Sequence, residues 1–154
     1  SALDLSIRGE ILNLMTDLRE KFGLAYLFIA HDLKVVEHIS HRVAVMYLGK
    51  LMELFPAGRL AEARHPYTQA LVSAIPSAEP GAKKRRIVLV GDVPSPMAPP
   101  RGCPFHPRCP HAVKLCSEEE PPFVPYMDGF TAACHRIGEM EGRRVGLLNK
   151  AGAG

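Results

Sequence analysis

The sequence lacks several features that would place it in a broad class. No apolar run approaches the ~20 residues that a membrane-spanning helix needs, and residues 1–6 (SALDLS) lack the basic start of a secretory signal peptide. The net charge of +3 is too small to argue by itself for nucleic-acid binding. The basic run KKRR at 83–86 is typical of a solvated loop. These absences favour a soluble protein in a reducing compartment, where clustered cysteines more often bind metals or carry redox chemistry than form disulfides.

The first half of the chain alternates helix and strand patterns. An apolar stripe of spacing three and four predicts an amphipathic helix over 6–22. The continuous apolar run LAYLFIA at 24–30 predicts a strand buried on both faces of a parallel sheet. A second strand over 42–49 leads through a turn into LMELF, which predicts a hairpin. HPYTQALVSAIP at 65–76 predicts a further helix, with Pro66 in its first turn. The order is the signature of an α/β fold.

Proline changes the character of the chain after this helix. Residues 76–125 hold twelve of the fourteen prolines, and only RIVLVGDV at 86–93 has the pattern of a strand. Such density excludes long helices and most central strands. We therefore expect this segment to be held together by something other than regular hydrogen-bond ladders.

Four cysteines fall in this irregular part, and residues 1–102 contain none. They are Cys103, Cys109, Cys116 and Cys134, spaced C-x5-C-x6-C-x17-C. Buried unrelated thiols and disulfides are weaker explanations than a metal that replaces a missing core. Structural zinc commonly uses cysteine pairs two to four residues apart, and none occurs here. A [4Fe–4S] cluster also takes four thiolates and tolerates wider loops, so both metals stay open. The neighbouring histidines at 106, 111 and 135 could replace a ligand if zinc bound.

His31 directly follows the apolar run 24–30. A lone histidine there is more often a cap or a packed side chain than a functional group. Its position is nevertheless suggestive, because ligands of open α/β sheets bind beyond the carboxyl ends of the strands. An imidazole in that place can donate a hydrogen bond to a phosphate oxygen and help to orient a water molecule.

An ordered set of motifs resembles a known family. They are SALD at 1–4, LFIAHDLKVVEHISHRVAVMYLGKLME at 27–53, HPYTQALVSAIP, GDVPSP and GCPFHPRC. Together they resemble the ATP-binding subunits of oligopeptide and dipeptide ABC importers, closer to the F-type than to the D-type subunit. The resemblance implies that residues 1–64 are the C-terminal part of an α/β, ABC-type P-loop nucleotide-binding domain. It further implies an irregular, metal-stapled C-terminal extension over 65–137, followed by a tail over 138–154.

The resemblance also assigns residues to roles in the ATP site. Ser1, Ala2, Leu3 and Asp4 match the D-loop, which crosses the dimer interface beside the ATP sites, and His31 matches the switch histidine that contacts the γ-phosphate. No G-x-x-x-x-G-K-[ST] phosphate loop occurs in the chain. The signature loop and the Walker B carboxylates are also missing, and the chain does not begin with methionine. We therefore expect a fragment that is inactive as an ATPase by itself, with ATP and Mg²⁺ bound by the complete protein.

The cysteines and the partners are assigned by the same resemblance. It implies a [4Fe–4S] cluster on the four cysteines, with zinc as the alternative. Because the extension offers no obvious substrate pocket or neighbouring general base, we expect the role of the cluster to be structural. It also implies a second, D-type ATPase subunit and transmembrane permease subunits as partners, on the cytoplasmic face of the cell membrane. Other subunits would handle the peptide, and nucleic acid would not be a ligand. A different interpretation is a stand-alone metal-binding structural or interaction module without ATPase activity. A nucleic-acid-binding zinc protein would rest only on KKRR and the cysteines.

Overall fold

A computed structural model describes residues 5–76 and 86–140 of the chain. Within these two ranges the chain forms four helices and four strands. They are α1 (Leu5–Phe22), α2 (Leu33–Ile39), β1 (Arg42–Tyr47), β2 (Lys50–Pro56), α3 (Pro66–Ala74), α4 (Lys114–Glu118), β3 (Phe123–Met127) and β4 (Phe130–Ala133). Short 3₁₀ turns occupy Ala57–Glu62, His106–Arg108 and Ile137–Met140. Within these two ranges, no helix combines the length and the apolar character that crossing a membrane requires.

The strands form one antiparallel sheet with the order β1-β2-β4-β3. The predicted β1–β2 hairpin is confirmed, and it turns at Leu48 and Gly49, which both have positive φ. Two successive residues of positive φ suit the right-handed twist of a hairpin. Strand β4 pairs with β2 at only two positions, Glu53 with Ala132 and Leu54 with Thr131. This short ladder joins the proline-rich part of the chain to the first hairpin.

The prediction of a parallel sheet is wrong for the residues that the structure describes. Residues 24–30 form no strand, and the side chains of Leu27 and Ile29 are 91 % and 88 % exposed. A strand buried on both faces needs paired neighbours for its backbone groups, and no described residue pairs with this segment. The mixture of helix and sheet is as predicted, but the sheet is open and antiparallel.

Strand content in the proline-rich segment also differs from the prediction. Residues 86–93 form no strand, with Val88 and Val90 exposed and Leu89 packed against a buried cluster. The strands lie later, at β3 and β4, where no strand was predicted. Strand β3 contains Pro125 and lies at the edge of the sheet, as a residue without an N–H requires.

The principal core lies between the sheet and the short helices. Phe55 of β2 stacks against Phe130 of β4, with ring centroids 5.8 Å apart, and both side chains are almost fully buried. Aliphatic side chains from β1, the 3₁₀ turn after β2 and α3 pack around them. Helix α1 has the predicted extent, but Ile7 and Leu14 of its apolar stripe are exposed. The folded core is therefore built mainly from residues 36–75 and the hairpin of β3 and β4.

Candidate functional site around four cysteines

All four cysteines line one small cavity of about 20 Å³. Cys103 and Cys109 flank the 3₁₀ turn His106–Arg108, Cys116 lies in α4, and Cys134 directly follows β4. All four are free thiols, and Cys103 and Cys116 are buried. The fold thus brings together in one place the four predicted ligands, which are spread over 32 residues of sequence.

A close backbone crossing holds two of these cysteines side by side. The Cys103 N–H donates to the carbonyl of Cys116 at 2.8 Å. Gly102 precedes it with φ of +69°, and a Cβ on this residue would lie 2.5 Å from the Cys116 carbonyl oxygen and 2.9 Å from the Ser117 carbonyl carbon. Only glycine combines this φ with this approach. The sequence GCP is therefore the local signal for the crossing of the first cysteine segment and α4.

Aromatic rings form an apolar cluster beside the cavity. Phe105 is 1 % exposed, and its ring centroid lies 5.4 Å from that of Tyr47 and 5.2 Å from that of Tyr67. Tyr47 and Tyr67 meet edge to face at 4.8 Å. The three rings come from β1, α3 and the cysteine loop, so they tie the loop to the hairpin. Sequence reasoning did not identify this cluster, although all three rings belong to motifs quoted above.

Burial changes the acidity of the thiols. It raises the pKa of Cys103 and of Cys134 to about 11 and also raises the pKa of Cys109, and the neighbouring thiols add to each shift. At neutral pH these groups are therefore protonated when no cation is present. A bound metal reverses this preference because it coordinates the thiolate.

His65 caps helix α3 and also borders the cavity. Its Nδ1 accepts a hydrogen bond from the Tyr67 N–H at 3.2 Å. Burial lowers the pKa of His65 to about 4, and a hydrogen bond to the backbone of Ala133 opposes the shift only in part. The ring is therefore neutral, and it caps the helix that the sequence predicts at HPYTQALVSAIP.

Glu53 fixes the start of α3 against the sheet. This carboxylate is completely buried, and its Oε1 accepts from the Tyr126 hydroxyl at 2.5 Å, from the Arg64 N–H at 2.8 Å and from the His65 N–H at 3.1 Å. The three donors come from β3 and from the segment before α3. Nothing in the sequence pattern of LMELF marks this glutamate, because its partners are distant in sequence.

The histidines around the cavity bond to backbone carbonyls. The Nδ1 of His106 lies 2.9 Å from the Cys103 carbonyl, and the Nε2 of His135 lies 3.0 Å from the Glu119 carbonyl. His111 also lines the cavity. Among residues 5–76 and 86–140, no group of three or more His, Cys, Asp or Glu side chains is arranged to hold a metal ion. The cysteines are gathered, but they are not fixed as a finished metal centre.

His31, the residue assigned to the γ-phosphate, lies outside the cysteine cavity. His31 is exposed and directly precedes Asp32, whose Oδ1 caps α2 by accepting from the Lys34 and Val35 N–H groups at 3.1 and 3.4 Å. His31 does not line the cysteine cavity in the described part of the chain. Residues 1–4, the D-loop match, lie outside the described residues, as do residues 83–85 of KKRR and most of the predicted tail.

One family model matches part of the chain. Residues 52–116 match the model of the oligopeptide/dipeptide transporter, C-terminal region. This match contains three of the cysteines, the HPYT motif and Glu53.

Curated relatives extend the likeness over most of the chain. The probable peptide ABC transporter ATP-binding protein y4tS of Sinorhizobium fredii is 55 % identical over 136 residues, 88 % of this chain and 38 % of the relative. The oligopeptide transport ATP-binding protein AppF of Bacillus subtilis is 52 % identical over 138 residues, 88 % of this chain and 42 % of the relative. The dipeptide transport ATP-binding protein DppF of Haemophilus influenzae is 48 % identical over 138 residues, 89 % of this chain and 42 % of the relative. The chain spans about two fifths of the length of these relatives. In sequence the chain is similar to ATP-binding proteins of peptide ABC transporters over nearly nine tenths of its length, and residues 52–116 are similar to the C-terminal region of the oligopeptide/dipeptide transporter.

Proposed function

We propose that the chain is the C-terminal part of the ATP-binding subunit of a peptide ABC importer, which couples ATP binding and hydrolysis to peptide uptake. The observation that carries this proposal is identity of 48–55 % over nearly nine tenths of the chain to ATP-binding proteins of peptide transporters. Residues 1–64 would complete the nucleotide-binding domain, and residues 65–137 would be the extension. ATP and Mg²⁺ would bind to the complete protein, and the chain alone would be inactive.

The partners in this proposal follow from the transporter assembly. The complete subunit would work with transmembrane permease subunits and a D-type ATPase subunit on the cytoplasmic face of the membrane. Other subunits would select and bind the peptide. The names of the relatives support an ATP-binding subunit over a stand-alone metal-binding module, because they describe ATP-binding proteins of transporters.

His31 would contact the γ-phosphate of ATP as the switch histidine. Its exposed position, directly before the N-cap of α2, leaves the imidazole accessible to a ligand. A neutral imidazole can accept or donate one hydrogen bond at each ring nitrogen, so it can register whether a γ-phosphate is present. Ser1, Ala2, Leu3 and Asp4 would form the D-loop across the interface with the second ATPase subunit.

The test of the ATPase proposal is a substitution in the natural full-length protein, assembled with its membrane subunits. His31→Ala should lower ATP turnover by at least tenfold, while His38→Ala, an exposed histidine in α2, should leave turnover unchanged. Equal turnover in the His31→Ala variant and the wild type would remove the assigned role of His31. Absence of ATP turnover in the wild-type assembly would overturn the proposal as a whole.

We further propose that the four cysteines hold a [4Fe–4S] cluster, with zinc as the alternative. The donor set fits, because four free thiols line one cavity and four thiolates are what either centre takes. A cavity of about 20 Å³ has room for about one water molecule, so the cavity would have to widen for a cluster to bind.

The chemistry that the cluster supplies when bound is four iron–thiolate bonds. This chain's own residues decide what those bonds connect: the 103–109 loop, helix α4 and the end of β4. These segments have little regular hydrogen bonding to one another, apart from the contact of Cys103 with Cys116. The role of the site is therefore structural, as a cross-link of the extension.

A further inference from the structure

Arg136 lies beside the four cysteines, and no assignment above involves it. It follows Cys134 by two residues and lines the same cavity. The other lining residues in the described part of the chain are apolar side chains, cysteines and histidines. Arg136 is thus the one side chain on this lining with a permanent positive charge.

Three hydrogen bonds to two partners hold the guanidinium of Arg136 in place. Its Nη1 donates to the His111 carbonyl at 3.1 Å, in the loop that follows Cys109. Its Nε donates to Glu139 Oε2 at 2.9 Å, and its Nη2 donates to the same oxygen. The guanidinium therefore connects the loop of one cysteine to the turn that follows another.

Of the two partners in this ion pair, Arg136 lines the cavity and is the less exposed to solvent. The Arg136 side chain is 29 % exposed, and the Glu139 side chain is 61 % exposed. Solvent screens an exposed carboxylate more strongly than a partly buried cation. The pair thus leaves a net positive influence at the thiols.

A nearby positive charge favours a metal that is held by four thiolates. Four thiolates bring four negative charges together, and a divalent zinc ion neutralises only two of them. A nearby cation reduces the repulsion that remains. In iron–sulfur proteins, net charge around the cluster is one of the factors that set its reduction potential.

We propose that Arg136 is the electrostatic partner of the four-cysteine site: its charge stabilises the four thiolates around a bound metal and raises the reduction potential of a cluster held there. Arg136 is a positioning residue, since it acts through the ligands and does not bind the metal. This inference rests on the metal site proposed above.

The experiment uses the natural full-length protein, purified without oxygen. The variants are Arg136→Gln, Arg136→Lys and Glu139→Gln, and two properties are measured: the half-life of cluster absorbance in excess chelator and the midpoint potential. Arg136→Gln should shorten the half-life at least threefold. It should also lower the equilibrium constant for one-electron reduction of the cluster at least threefold. At 59 mV per tenfold change, this lowers the midpoint potential by about 28 mV. Arg136→Lys keeps the charge and should retain most of the wild-type potential.

Glu139→Gln separates the electrostatic role from a purely structural one. Loss of this carboxylate breaks the ion pair but leaves the positive charge of Arg136, so the midpoint should rise. A structural clasp predicts that Arg136→Gln and Glu139→Gln shift the midpoint in the same direction. The matched control is Arg59→Gln. Arg59 forms a similar pair with Glu62 at 2.9 and 2.7 Å and lies outside the cavity lining, so the midpoint should not change.

The outcomes distinguish this inference from the site on which it rests. Metal-free wild-type protein would overturn both the metal site and the role of Arg136. A wild-type cluster whose potential is the same in Arg136→Gln, or shifts alike in Arg136→Gln and Glu139→Gln, would overturn the role of Arg136 alone. If Arg136→Gln retains no cluster, the midpoint potentials of the other two variants test the role of Arg136. A higher midpoint in Glu139→Gln and a nearly unchanged midpoint in Arg136→Lys would support it, and a lower midpoint in Glu139→Gln would overturn it.

Discussion

Gly102 gives the sharpest test of how the cysteine segments cross. Gly102→Ala adds one methyl group at φ of +69°, where it would lie 2.5 Å from the Cys116 carbonyl oxygen, 2.9 Å from the Ser117 carbonyl carbon and 3.0 Å from the Glu119 carbonyl oxygen. All three atoms belong to the backbone of α4 or its end. No side-chain rotation relieves the contact, so the two segments must separate.

The expected loss of stability in Gly102→Ala has two contributions. A residue with a Cβ in the left-handed region costs about 1–2 kcal/mol. An added methyl group that forces a backbone shift costs about 1–3 kcal/mol more. We therefore expect Gly102→Ala to lower the free energy of unfolding by about 2–5 kcal/mol.

Alanine substitutions at two other glycines separate the conformational contribution from the steric one. Gly91 has φ of +82° and would place a Cβ in open space, so Gly91→Ala should lose only the conformational part. Gly58 does not have a positive φ, and a Cβ added there would meet no atom within 4 Å. Gly58→Ala should therefore be neutral or slightly stabilising. The assay is urea unfolding of the three variants, with hydrogen exchange at the Cys103 amide as the local readout.

The expected order of stability is Gly58→Ala, then Gly91→Ala, then Gly102→Ala. Exchange at the Cys103 amide should accelerate only in Gly102→Ala, because the bond to the Cys116 carbonyl is broken. Equal losses in Gly91→Ala and Gly102→Ala, with unchanged exchange at Cys103, would refute the close crossing.

Two further changes test the packing around the site. Phe105→Ala removes a ring that is 1 % exposed and should lower the free energy of unfolding by about 3–5 kcal/mol in urea; a loss below 1 kcal/mol would contradict its place between the tyrosines. Burial and then the Glu53 carboxylate raise the pKa of Tyr126 well above its usual value of about 10. The folded state therefore keeps a proton that the unfolded state loses, so stability should fall as pH rises above about 10. Tyr126→Phe should flatten this decline, and an equally steep decline in the variant would exclude Tyr126 as its source.

The elements predicted from sequence are those whose signals are local. The β1–β2 hairpin has alternating burial and a turn at Gly49, and α3 has a proline at its first position after a capping histidine. Such signals lie within a few residues of each other. They were sufficient for the hairpin and for helix α3.

The elements missed depend on distant partners. Residues 24–30 have the composition of a buried strand but pair with nothing in the described chain, so composition alone gave the wrong structure. Strands β3 and β4 are short, and β3 contains Pro125; its place at the sheet edge is fixed by pairing with β4. Pairing of this kind is a tertiary property that a local pattern does not carry.

In the candidate site, too, the residues with a local sequence signal were predicted and those that depend on distant contacts were missed. The cysteines were identified from their clustering, and the fold brings all four to one cavity. Glu53 and Arg136 were missed because one lies in an ordinary strand pattern and the other in a short polar segment. Their importance arises from burial and from contacts with residues far away in the chain.

The most direct test of the account is the metal content of the natural protein after purification without oxygen. We expect about four iron and four acid-labile sulfide per chain, with loss of both when Cys116 is replaced by serine. About one zinc and no iron would contradict the cluster, and metal-free wild-type protein would contradict a metal site on these four cysteines.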